Sequence, residues 1–285
     1  MNKGPWYMIF AALMFSLMNV LVKELNRIPV FELVFFRSIF SLIYLMVLLR
    51  YKKIMPFGKN KKILILRGVF GTIALSLFFI TLHKTPLAIA VIIQYLSPIF
   101  TIIFTSIFLK DKISPQQWFF FFVSFIGVVF IKGFDESNQI PINYVIVGII
   151  SSVFSGLAYL CIVKLKNTDH HLVTVFYFPL ISTPIMSILS FFNWTPPTKL
   201  ELFYLICVGF FSLIAQIYMT KGIQSQPSGS IMIFKYIGAI FALIFGYFIF
   251  DEKFSIQALF GIFLLVLGVV LNIFFKKKSY DQSIN

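Results

Sequence analysis

Apolar residues in this chain gather into ten runs, each close to the length of about 20 residues that a helix needs to cross a bilayer. The runs cover 6–22, 30–49, 63–82, 87–109, 115–131, 144–163, 172–192, 202–219, 228–250 and 256–275. The links between them are short, and none could house a soluble domain. Only 12% of the residues are charged and 59% are hydrophobic, whereas a soluble domain averages about 25% charged. So apolar a surface requires lipid as the solvent. A backbone with no water to bond must then satisfy itself within helices. The expected fold class is an all-α polytopic membrane protein with ten transmembrane helices. The formal charge of +14 belongs to the links and is not a nucleic-acid signal.

The runs are not independent of one another. Pro86–Ile131 aligns without a gap on Pro227–Asn272, 141 residues later, with identical residues at 15 of 46 positions. Tyr95 falls on Tyr236, Phe100 on Phe241, Lys112 on Lys253, and Gly127-Val128-Val129 on Gly268-Val269-Val270. The register extends backwards, with Gly68 on Gly209 and Ala74 on Ala215. The chain therefore reads as two repeats, 1–138 and 139–285, the second ending in a basic cytoplasmic tail. An internal repeat in a membrane protein points to a transporter with its substrate site between the copies.

Lysine and arginine give the repeats a direction, because cytoplasmic links carry an excess of both. With the N-terminus inside, 15 of the 24 cations fall in cytoplasmic segments, six in outer links and three within spans. Both termini are expected in the cytoplasm. Each half has five spans, so the second half enters from the opposite side, and the repeats are expected to be inverted in space.

The three cations within spans are Arg37, Arg67 and Lys235, each costing about 2.5–3.5 kcal/mol at a helix centre on insertion scales. Arg67 is roughly 6 Å from its helix end and can snorkel to the interface. Arg37 is roughly 10 Å deep. Glu32, five residues before it, is poorly placed to pair with it. Lys235 sits beside Tyr236, and its repeat mate Gln94 sits beside Tyr95. These two pairs would face each other across the pseudo-two-fold axis. The candidate substrate-binding residues are Arg37, Gln94, Tyr95, Lys235, Tyr236 and Gln216, with Asn19 and Tyr159 as weaker candidates. Asp111-Lys112 and Glu252-Lys253 read as solvated caps of tight turns. Pro98, Pro179 and Pro184 fall inside spans and predict kinks or local unwinding.

Other chemistries find no support in the residues. There is no CxxC, HExxH or Walker A motif, so no metal, no cofactor and no nucleotide hydrolysis is implied. Cys161 and Cys207 lie in apolar runs and read as core residues. His83, His170 and His171 read as loop residues, the adjacent pair as a solvated turn. The first run lacks a clear cleavage site and reads as a retained helix. An integral-membrane enzyme would need His, Asp or Glu clustered at membrane depth, which the spans lack.

Phe35-Phe36-Arg37, Leu66-Arg67-Gly68 and Tyr95-Leu96-Ser97-Pro98-Ile99 carry a family resemblance, completed by Leu109–Val129 and its echo at Phe250–Val270. In order, spacing and duplication the chain resembles the EamA branch of the drug/metabolite transporter superfamily, over 6–275. That resemblance implies ten helices, inverted five-helix repeats, a central cavity, and the carriage of amino acids, nucleotide-like metabolites or other small solutes. The mid-span acidic residues that carry protons in some relatives of the superfamily are missing here. The expectation is a secondary transporter of small polar metabolites by alternating access, in a bacterial cytoplasmic (inner) membrane. Its substrate is expected to carry a carboxylate or phosphate. A monomer or a homodimer is compatible with ten helices. The alternative is a non-transporting membrane protein, a lipid-handling or assembly factor, in which Gln94 and Lys235 would face lipid.

Overall fold

The computed structural model describes residues 4–109, 114–132, 141–225 and 234–282. Among them every regular element is helical: α1 (Gly4–Glu24), α2 (Val30–Tyr51), α3 (Lys61–Lys84), α4 (Leu87–Gln94), α5 (Ser97–Leu109), α6 (Pro115–Lys132), α7 (Ile142–Leu165), α8 (His171–Phe191), α9 (Lys199–Ser225), α10 (Ile237–Phe250) and α11 (Ile256–Gln282). Seven stretches are long and apolar enough to cross a membrane, α4 and α5 counting as one, and three shorter apolar helices accompany them. The helices follow the apolar runs except at two places. The fourth run, expected as one span, is two helices that meet at Tyr95 and Leu96. The ninth begins, among the described residues, with a single 3₁₀ turn over 234–236 that leads into α10. Pro227 and the pair Asp111-Lys112 lie outside the described residues.

Pro98 accounts for the first break. It has no N–H, and its ring crowds the carbonyl four residues earlier, that of Gln94. The N–H groups of Tyr95 and Leu96 turn back on Ile92 and Ile93, and that of Ile99 on Leu96. These three-residue closures tighten the chain and leave the Tyr95 carbonyl without a helical donor. The Tyr236 hydroxyl donates to it at 2.8 Å. Tyr236 is the repeat mate of Tyr95, and the two rings meet edge to face with centroids 5.0 Å apart. A proline in the first copy thus creates an orphan acceptor that the second copy satisfies.

The helix pairings respect the duplication. α6 packs on α11, α2 on α8 and α4 on α10; α1 packs on α9 and α3 on α7. Exchanging helices for their counterparts 141 residues away returns all of these pairs except α4 on α10, because α10 is the counterpart of α5 and not of α4. At the α6–α11 crossing two backbones touch. A Cβ at Gly127 would lie 2.6 Å from the Gly261 carbonyl oxygen, and one at Gly261 would lie 2.7 Å from that of Gly127. Small residues allow this approach, and packing of this kind replaces the hydrophobic drive that lipid does not supply between helices. Asn272 adds a bond from Nδ2 to the Gln117 carbonyl, 2.7 Å.

Polar and apolar groups are arranged for lipid. Ile256 is 88% exposed and Phe248 75%, whereas Arg37 is 1% exposed and Arg67 2%. The turn between α10 and α11 departs from the solvated cap expected of it. Asp251 closes it in the left-handed region, φ 50°, and Lys253 is exposed. Glu252 instead turns inward. It accepts from the Leu87 and Ala88 amides at 2.5 and 3.4 Å, which caps α4, and pairs with Lys23 at 2.9 Å. The free donors at the start of α4 and the half-buried ammonium attract the carboxylate more strongly than water does. His83, expected in a loop, belongs to the last turn of α3 and bonds through Nε2 to the Val22 carbonyl.

Candidate functional site

The broken helix places its polar residues around a cavity of about 100 Å³ bounded by α1, α3, α4, α7, α8, α9 and the turn before α10. A single water needs roughly 10–15 Å³ of such space, so a small polar group fits. Gln94, Tyr95, Gln216 and Lys235 line it, and so do Asn19 and Tyr159. Arg37 and Tyr236 are not on its wall. Gln94 and Lys235 share this interior space and do not face lipid.

Both members of that mismatched pair are anchored on α7. Gln94 donates from Nε2 to Ser155 Oγ at 2.5 Å and accepts from Ser151 Oγ at 2.9 Å. Ser152 Oγ donates to the Ile93 carbonyl at 2.8 Å, so a serine stripe holds the end of α4. One turn beyond Ser155, the Tyr159 hydroxyl accepts from Lys235 Nζ at 2.7 Å. The ammonium lies over the Tyr159 ring at 4.8 Å and the Tyr95 ring at 5.5 Å from their centroids. Aromatic faces and a hydroxyl solvate the cation without neutralising it. Tyr95 reaches across the interface because Gly238 has no side chain. A Cβ there would sit on the tyrosine hydroxyl.

Arg67 does not snorkel. A helical side chain normally leans towards the N-terminus, but Nη1 of Arg67 lies against Gly71, one turn the other way. Gly71 leaves the room, and Gln216 supplies the acceptor, Nη2 to Oε1 at 3.1 Å. The Phe178 ring lies 5.5 Å from the guanidinium carbon of Arg67 and 4.6 Å from that of Arg37. Neither arginine, nor Lys235, is in an ion pair among the described residues. The two ion pairs seen there are Lys23–Glu252 and Arg27–Glu201. Glu32 accepts from the Thr195 amide at 2.9 Å instead of approaching Arg37.

Arg67, Phe178 and Ser155 were not among the six candidates. The cavity face of α3 runs Arg67, Gly71, Ala74, Leu75 and Phe78, and that of α1 runs Ala12, Phe15, Ser16 and Asn19. This helical spacing of small and polar residues was the signal available. At the start of α8, His170 Nδ1 accepts from the Leu172 amide. Burial, then Lys52 and Lys221, push the His170 pKa below its ordinary value, which keeps the accepting form. The described residues contain no group of three metal-ligating side chains.

The family model of EamA-like transporters matches residues 2–133 and again 142–274. The chain belongs to the EamA-like transporter family. It is 30% identical over 255 residues to the pseudopaline exporter CntI of Pseudomonas aeruginosa, covering 88% of this chain and 89% of that one. It is 30% identical over 260 residues to solute carrier family 35 member G1 of Homo sapiens, covering 85% and 71%. It is 26% identical over 291 residues to an S-adenosylmethionine uptake transporter of Rickettsia bellii, covering 99% and 97%. A solved crystal structure shares the fold, with a TM-score of 0.72 at 13% identity over 97% of this chain and 98% of that one. The protein is thus a multi-pass membrane transporter of small molecules and not an enzyme. Within the family, one relative is named an exporter and another an uptake transporter.

Proposed function

We propose that the cavity is the substrate site of an alternating-access carrier for small polar metabolites bearing a carboxylate or phosphate. One observation carries this reading: Lys235 and Arg67 line a buried space with no acidic partner among the described residues. Buried charge is tolerated where it is paired, and an anionic substrate supplies the partner. Gln94, Tyr95 and Gln216 would orient it. Tyr236 acts from behind by holding the Tyr95 carbonyl, and Arg37 contributes positive potential through the Phe178 wall.

In this reading both termini are cytoplasmic, the two five-span halves are inverted relative to each other, and the membrane is a bacterial cytoplasmic membrane. The cation bias of 15 to 6 supports that orientation. The Lys23–Glu252 clasp then lies at the outer face, joining α1 of the first half to the α10–α11 turn of the second. It would part when the outer side opens. Transport through the cavity predicts that Lys235→Gln lowers anion flux in reconstituted vesicles about tenfold or more, by analogy with loss of a buried charge partner, while membrane insertion is unchanged. Unaltered flux kinetics in that variant would sink the proposal.

A further inference from the structure

Arg37 is the one mid-span cation outside the cavity wall. It is 1% exposed, and its Nε and Nη1 have no partner among the described residues. Its neighbours give no countercharge. Ser38 is engaged with Ser182 at 2.9 Å; Glu32 accepts from the Thr195 amide through Oε2, and although its Oε1 has no partner among the described residues, it forms no ion pair with Arg37. What separates Arg37 from the cavity is the Phe178 ring, which lines that cavity and lies under both guanidinium groups. Since both guanidinium carbons lie close to one ring centroid, they are within about 10 Å of each other. Two like charges so close, both in low dielectric, repel. An anion held by Lys235 and Arg67 leaves the Arg37 donors unfilled.

We propose that Arg37 is a second anion subsite, opened when the Phe178 ring swings aside, and that the substrate therefore carries two anionic groups. One group would sit between Arg67 and Lys235 and the other on Arg37. Pro179, immediately after Phe178 inside α8, supports the movement. It removes the N–H that would bond the Val175 carbonyl and loosens the helix at that turn. The inference rests on the cavity being an anion site, and its test separates the two ideas.

The test is a thermal-shift titration of the purified full-length protein with matched pairs: succinate against butyrate, and methylenediphosphonate against methylphosphonate. A ligand that binds the folded state raises its apparent stability in proportion to occupancy. In at least one pair the compound with two anionic groups is expected to bind roughly tenfold tighter than its one-group partner, and Arg37→Gln is expected to abolish that difference by weakening the two-group compound far more than the one-group compound. Phe178→Leu, which keeps Arg37 and removes the ring in front of it, is expected to widen the difference. The second subsite is overturned, with the cavity reading intact, if both wild-type pairs show no preference, if Arg37→Gln weakens both members equally, or if Phe178→Leu leaves the preference unchanged or smaller. Failure of all four anions to shift the melting temperature overturns the cavity reading beneath it.

Discussion

At the scale of single residues, the informative positions are those where the two copies differ or where one copy completes the other. Gln94 and Lys235 stood out because identical neighbours, Tyr95 and Tyr236, bracket a mismatch. The structure brings both to one cavity wall. The role of Tyr236 was less legible. It reads as a second aromatic in a site, but its hydroxyl is committed to the Tyr95 carbonyl at 2.8 Å. That bond follows from Pro98, three residues beyond Tyr95, and no local pattern around Tyr236 announces it. Arg67 is hard to read from the sequence for a related reason. Depth along a helix says how far a side chain must travel to water, but it does not show that Gly71, one turn on, leaves room inside or that Gln216, 149 residues away, supplies an acceptor there. Tyr236→Phe should leave the orphan carbonyl unsatisfied, at a cost of about 1–3 kcal/mol. Differential scanning calorimetry of the purified variant should show a lower melting temperature with helix content retained. An unchanged melting temperature would mean that the bond does not stabilise the break.

At the scale of elements, hydropathy located the spans well because lipid leaves the chain few alternatives to helix. It could not show that the fourth span is two helices, because Ile, Leu and Val surround the break on both sides and only Pro98 marks it. The repeated Gly127-Val128-Val129 and Gly268-Val269-Val270 read as scaffold. Their part of the fold is a crossing at which the backbones of α6 and α11 touch near Gly127 and Gly261. The nearest atoms to a new Cβ there are backbone, which cannot rotate aside as a side-chain tip can. Gly127→Val is therefore expected to destabilise the protein by about 1–3 kcal/mol or to separate the two helices. The melting temperature in detergent reads this, and the control Val129→Ala, at a residue 51% exposed on the outer surface, should change it little. Equal effects of the two substitutions would contradict the close-packed crossing.

At the scale of the whole molecule, the family model matches twice, at 2–133 and 142–274, and the pairings α2–α8, α6–α11, α1–α9 and α3–α7 survive exchange of the halves. The sequence supplied the repeat offset and the cation bias. It did not show how loops from different halves are tied, because those ties depend on folded geometry. Asp169 accepts from the Lys59 amide at 2.6 Å, and Arg27 bonds Glu201, which also raises the arginine's pKa above its ordinary value. The orientation has a direct check in a background with Cys161→Ala and Cys207→Ala. A membrane-impermeant maleimide should label Asn193→Cys in intact cells, and Lys59→Cys only after permeabilisation. The opposite pattern would reverse the topology.

The central claim is that the buried cations around the cavity await an anionic substrate. A metabolite library screened by thermal shift against the purified wild-type protein and Lys235→Gln tests it most directly, since binding to the folded state alone raises apparent stability. The account predicts that the stabilising compounds carry a carboxylate or phosphate and lose their effect in the variant. Stabilisation by cationic or neutral compounds alone, or by anions to the same extent in both proteins, would contradict it.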